Sequence, residues 1–265
     1  MELSISDNMS LIRLYNAAEV SQLRVAGLMS GSGTNLRKII EHEQRLKEQR
    51  GLSPYHVSVI FSDTPKSKAG EIGADFGIPV FIYDLDSFCK KRGKPSKDMD
   101  TRKEYERECM RVLNEFECAV AAYAGYMRKA TSVFVNSFLG VNIHPADLTI
   151  KSPDGKPRYR GDHVVKDAIQ AGEKVIRSTT HLVADKVDCG SILMVSAPLP
   201  INYPISDSML DKIAGHYQDA LKERGDWIIF PRTLEYIADG RYARDKKGIL
   251  YFDGEKIPNG VRLEN

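Results

Sequence analysis

The alternation of short apolar runs with longer amphipathic stretches constrains this chain more than any other feature. LRVAGLM (23–29) is followed by NLRKIIEHEQRLKEQR (35–50), HVSVIFSD (56–63) by AGEIGADFG (69–77), and PVFIYD (79–84) by TRKEYERECMRVLNEF (101–116). The runs read as buried strands. The stretches between them repeat apolar side chains at helical spacing, as Leu36, Ile39, Ile40 and Leu46 do. CAVAAYAG, GVNIHP, VIRSTTHLVAD and SILMVSAPL supply further strands, with short helices at 132–137 and 162–171. This order predicts βαβ units and an α/β, Rossmann-like fold: a mostly parallel twisted sheet with helices on both faces.

Around that core, Thr101 and Glu104 form a capping box that should open the helix at 101–116. Residues 1–22 read as an N-terminal extension, partly helical, and 23–265 as a single α/β domain. Its C-terminal appendage, from about residue 202, should hold helices at 207–223 and 227–239. A hairpin then turns through Lys246-Lys247-Gly248.

The charge balance narrows the function. With 38 Lys+Arg against 36 Asp+Glu, the formal charge is +2, which disfavours a protein that grips nucleic-acid backbone. No apolar run approaches the roughly 18 residues of a membrane span, and the first twenty residues lack a signal-peptide pattern. Cys89, Cys109, Cys118 and Cys189 make no CxxC pair, so neither a metal site nor a disulfide framework is expected. A cytoplasmic protein without nucleic-acid or membrane partners is the expectation.

Ligands of an open parallel sheet sit beyond the carboxyl ends of its strands, and three polar clusters fall there. Ser30–Asn35 joins a strand to a helix, where backbone N–H groups and the helix N-terminus suit a phosphate. It lacks the third glycine of GxGxxG and the lysine of a P-loop, so a plain tight turn stands equally open. In Val141-Asn142-Ile143-His144-Pro145, Asn142 and His144 share a strand face. An amide beside an imidazole can stabilise an oxyanion and move a proton. A histidine bonded to a backbone carbonyl is the blander reading. In Asp185-Lys186-Val187-Asp188-Cys189-Gly190, either carboxylate can orient His144 and keep it cationic, or can simply form a turn. His181 reads as a packing or hydrogen-bonded residue.

These clusters, with AGYMRKATSVFV before them and IIFPRTLEYIADGRY after, resemble the folate-dependent formyltransferases from about Leu23 to about Pro258. The resemblance implies attack of an amine on the formyl carbon of 10-formyltetrahydrofolate, with Asn142, His144 and Asp188 as the catalytic trio. It implies that Gly33, Thr34 and Asn35 hold the substrate phosphate. It implies too that Met127, Arg128 and Lys129 line the folate pocket, with Val183 and Asp185 on the opposite wall. The implied acceptor is the primary amine of glycinamide ribonucleotide, in purine biosynthesis, and the implied state a monomer or homodimer.

Departures fall on the acceptor side. The loop at 150–160, with Lys151, Lys156, Arg158 and Arg160, is longer than in the family, and reads as a substrate lid or a solvated basic loop. Ala146 replaces a serine, Cys189 a glycine, and Asp226 stands where a glutamate is usual. Another phosphorylated or sugar amine, hydrolysis of formyltetrahydrofolate, and a nucleotide-binding module without catalysis remain open. So does a dinucleotide oxidoreductase using Gly31, Gly33 and Asp63.

Overall fold

The computed structural model describes residues 11–16, 22–202 and 209–264. Its centre is an eight-stranded sheet built from β2 (Leu23–Met29), β3 (Tyr55–Ser62), β4 (Val80–Ile82), β5 (Val120–Tyr123), β6 (Leu139–His144), β8 (Thr179–Leu182), β9 (Ile192–Val195) and β14 (Val261–Arg262). The spatial order is β14-β9-β8-β6-β5-β2-β3-β4. From β4 to β6 every pairing is parallel; β8 runs antiparallel to both β6 and β9. The expected mostly parallel sheet is therefore present. Strand order reverses between β2 and β5, so the segments leaving these strands diverge and open a crevice.

Helices cover both faces because the strands are apolar on both. One core joins Leu23 and Val25 of β2 to Leu36 and Ile39 of α1 (Thr34–Arg50) and to Ile229, Phe230 and Leu234 of α8 (Trp227–Ala238). The other joins Ala26 and Leu28 to Leu85 of α3 (Leu85–Lys91), Tyr105 of α4 (Met99–Leu113) and Phe134 of α5 (Ser132–Ser137). A third cluster packs Ala146 and Tyr159 against α6 (Val164–Gln170) and α7 (Leu210–Leu221).

Several local expectations need correction. The helix expected at 101–116 starts at Met99, because the Asp98 carboxylate accepts from the Thr101 N–H, satisfying a donor that the capping box assigned to Thr101's own turn. Helix α3 went unread, since it is short and begins on Asp84, which accepts from the N–H groups of Asp86 and Ser87. The single strand expected at 175–185 is two: β7 (Val175–Ile176) pairs with β10 (Leu199–Pro200), and β8 is separate. The break falls at Ser178, whose N–H donates to Ser196 Oγ rather than to a ladder carbonyl. Within the region expected to be partly helical, Ile12–Arg13 forms a strand, β1, which pairs with β11 (Tyr242–Arg244). The rest of 1–22, apart from residues 11–16 and Gln22, lies outside the described residues. The hairpin of β11 and β12 (Leu250–Phe252) forms as read, extended by β13 (Glu255–Lys256).

Candidate active site

A cavity of about 690 Å³ opens at the carboxyl ends of β2, β5 and β6. Asn142 and His144 line it from β6, Asp188 from the loop after β8, and Asn35 and Asp226 from the starts of α1 and α8. Asn142 and His144 share a face, two residues apart on one strand. Because β8 is antiparallel, His181 pairs across from Asn142 and the chain leaves β8 beside Gly140. The 183–190 loop must therefore double back to place Asp188 near His144. It does so through a left-handed residue at Asp188 itself, with φ 52°.

His144 Nδ1 lies 3.6 Å from Asp188 Oδ2, and His181 Nε2 lies 3.5 Å from Asp188 Oδ1. His144 Nε2 is 2.9 Å from the Tyr159 carbonyl, which only accepts, so Nε2 carries the hydrogen in the neutral ring and Nδ1 presents a lone pair to Asp188. By the same logic His181 donates from Nδ1 to the Leu182 carbonyl, and its Nε2 accepts from Asn142 Nδ2 at 3.2 Å. Asn142 keeps a second N–H to give.

Burial pushes the His144 imidazole below its ordinary value; Asp188 and the Tyr159 carbonyl push it up without prevailing. The expectation of a cationic His144 is thus reversed, because desolvation outweighs the carboxylate. Burial raises the Asp188 carboxyl, but the neighbouring His181 and His144 rings and the Gly161 N–H together hold it below the usual carboxylate range. The resting pair is a neutral imidazole facing a carboxylate.

The long loop is part of this arrangement. Its tip folds into a finger, with Arg158 N–H donating to the Ile150 carbonyl and Ser152 N–H to that of Lys156. Its base reaches the trio, for the Tyr159 carbonyl holds His144 and the Gly161 N–H donates to Asp188 at 2.9 Å. Tyr159 is itself fixed by burial and by its hydroxyl's bond to Glu173 at 2.7 Å.

At the other end, Asn35 lines the cavity, Thr34 is exposed, and Gly33 lies buried beneath the turn. Gly33 has φ 67°, and a Cβ there would meet Ile72 Cδ1 at 2.5 Å, so glycine is required by conformation and packing alike. Burial pushes the Asp226 carboxyl up to about 6 against hydrogen bonds from Ser178 and Asn35. Asn35 Nδ2 is 3.4 Å from that carboxylate, while Asn35 Oδ1 has no hydrogen-bond partner. A turn of π-helix, Lys222–Asp226, connects α7 to α8 and brings Lys222 and Asp226 to the same rim.

Met127, Arg128, Lys129 and Val183 line the cavity; Asp185 is exposed and does not. Arg128 is committed to carboxylates, with Nε 2.8 Å from Asp63 and Nη2 3.1 Å from Asp86. Asp63 is buried and is already engaged by Ser30 Oγ and Arg128 Nε, which disfavours the oxidoreductase alternative that needs it for a ribose hydroxyl. His181, the Tyr159 carbonyl and the Gly161 N–H were not singled out as site groups by sequence reasoning. Only the antiparallel register makes His181 a neighbour of Asn142, and backbone groups leave no mark on residue identity.

Residues 23–223 match the family described as formyl transferase. The chain belongs to the formyl transferase family. It is 25% identical over 241 residues to phosphoribosylglycinamide formyltransferase of Escherichia coli (strain K12), covering 89% of this chain and 96% of that protein. It is 30% identical over 236 residues to the trifunctional purine biosynthetic protein adenosine-3 of Drosophila melanogaster, covering 87% of this chain but only 15% of that much longer protein. Among solved structures it resembles phosphoribosylglycinamide formyltransferase from Bacillus halodurans, with TM-score 0.60 and 27% identity over 80% of this chain and 93% of that one. The Coxiella burnetii enzyme of the same name, in complex with CHES, shares the fold with TM-score 0.68 at 22% identity, covering 91% of this chain and 99% of that one.

Among the described residues, no helix is long and apolar enough to cross a membrane, and no three His, Cys, Asp or Glu side chains are grouped to hold a metal ion.

Proposed function

We propose that this chain transfers the formyl group of 10-formyltetrahydrofolate to the primary amine of glycinamide ribonucleotide, with Asn142, His144 and Asp188 as its catalytic residues. One observation carries the reading: the three side chains converge on a single cavity whose far rim includes Asn35, at the strand–helix turn suited to a phosphate. In this reading Asn35 and the N-terminus of α1 receive the ribose phosphate with Thr34, over a turn shaped by Gly33. Met127, Lys129 and Val183 flank the folate. Cytoplasmic action as a monomer or homodimer belongs to the same reading.

The geometry accounts for each step. As the amine nitrogen bonds the formyl carbon, that carbonyl's π pair moves to oxygen, and the Asn142 N–H stabilises the charge. The attacking nitrogen becomes acidic and must shed a proton. His144 Nδ1 and Asp188 Oδ2 face one another 3.6 Å apart as two acceptors, so a proton delivered there, directly or through one water, is shared between them. The imidazolium it creates sits beside the oxyanion and adds to its stabilisation. Collapse expels N10 of tetrahydrofolate, which takes the proton back. Atoms and charge balance with no further reactant.

The test is an amine-acceptor screen with 10-formyltetrahydrofolate, beginning with glycinamide ribonucleotide. Saturable transfer to that amine is the expected result; transfer to another amine, or to water alone, overturns the acceptor. His144→Ala should lower transfer about a hundredfold or more while tetrahydrofolate still binds. Retained turnover would remove His144 from the mechanism.

A further inference from the structure

We propose that Tyr123 is a specificity residue for the formyl donor, its hydroxyl hydrogen-bonding the heteroatom-rich bicyclic ring of the bound folate. This rests on the reading that the cavity between segments 125–130 and 183–188 takes the donor. In the pairing of β5 with β6, Tyr123 lies opposite Asn142 and Ala122 opposite Val141. Ala122 and Val141 share one core and Tyr123 belongs to the other, so Tyr123 emerges on the face that carries Asn142 and His144. Gly140, two residues before Asn142, leaves that face open. A Cβ there would lie 2.8 Å from Val183 Cβ and 3.0 Å from Tyr123 Cε2, so the tyrosine ring and Val183 close over the glycine together. Both residues line the cavity.

The ring is held edge-on to Tyr126, with centroids 5.8 Å apart, and only 4% of the residue is exposed. Its Oη is buried and has no hydrogen-bond partner. Phenylalanine would fill the same volume without stranding a polar atom, so the hydroxyl is a standing cost to the empty protein. A ligand that brings a donor or acceptor to this wall removes that cost. A flat ring edged with alternating N–H, N and C=O groups fits, because Tyr Oη both donates and accepts while Val183 and Tyr126 supply apolar contact.

The experiment compares wild type with Tyr123→Phe, a change of one oxygen atom. Tetrahydrofolate binding is measured by calorimetry, donor and amine kinetics are measured separately, and the unliganded chain is melted. The expected result is a rise of about five- to tenfold in the tetrahydrofolate Kd and the donor KM. The kcat and amine KM should stay within about twofold, and the unliganded Tm should be unchanged or higher. Unchanged donor affinity in a wild type that does bind tetrahydrofolate overturns the role of Tyr123 alone. A lower unliganded Tm also overturns it, because the hydroxyl then serves the fold. A wild type that binds no tetrahydrofolate overturns the donor assignment itself, and this inference with it.

Discussion

Asp188 and Asp226 are both buried carboxylates, yet their surroundings send them in opposite directions. Asp188 accepts the Gly161 N–H and faces two imidazoles, so it stays ionised and pulls the His144 pKa upward against burial. Asp188→Asn removes that pull. Transfer should fall about a hundredfold, and the limb of the pH–rate profile set by His144 should move to lower pH; a fall in rate with an unmoved limb would uncouple the two residues. Asp226, with its carboxyl raised to about 6, is the contrary case. A group raised on folding contributes stability at pH below its unfolded value near 4, and loses it as pH rises through 6. Asp226→Asn should therefore stabilise the chain at pH 8 by about 2–3 kcal/mol, with the gain vanishing near pH 4. Ser178 still has an oxygen to donate to, and the partnerless Asn35 Oδ1 can receive the new amide. Equal Tm differences at both pH values would refute the burial account. Neither residue's environment was legible in the sequence, where both read only as acids in plausible places.

At the scale of the element, the 150–160 loop and the turn after it have two structurally distinct parts. The finger from Ser152 to Lys156 is closed on itself by backbone hydrogen bonds, and Lys156 is at the surface. The base at Tyr159 and Gly161 is bonded to His144 and Asp188 of the proposed catalytic trio. Shortening the finger between Lys151 and Pro157 to a two-residue turn should alter the KM for the amine more than kcat, and steady-state kinetics with the amine varied will show it. A collapse of kcat with unchanged amine KM would mean that the finger itself holds the base in place. Charge pattern marked the loop as unusual but said nothing of its anchorage, since the anchoring atoms are main-chain. The same limit explains the split of the 175–185 run into β7 and β8. Apolar patterning cannot register a single backbone N–H, that of Ser178, turning away from the ladder to Ser196.

For the whole molecule, we propose that residues from 23 onward fold as one unit, with the C-terminal part integral to it. Ile229, Phe230, Leu234 and Ile237 of α8 are fully buried in the core that holds β2 and α1, and Tyr242 of β11 donates to the Leu193 carbonyl of β9. Ending the chain at residue 201 would uncover that core, and losing Phe230 alone is worth about 3–5 kcal/mol. The truncated chain should show no cooperative unfolding transition by circular dichroism, whereas the full chain should show one. A cooperative transition in the truncated chain would make 202–265 a true appendage.

Taken alone, the sequence determined the fold class, because the period and length of apolar runs decide which faces can be buried. It also determined that Asn142 and His144 lie on one side of one strand, because side-chain alternation along a strand is strictly local. What only the tertiary structure decided was direction and environment. The antiparallel entry of β8 set His181 beside Asn142, the left-handed bend at Asp188 returned its carboxylate to His144, and burial made that histidine neutral. Each depends on segments far apart in the chain meeting in space, where desolvation and backbone partners, which no residue pattern encodes, set the chemistry.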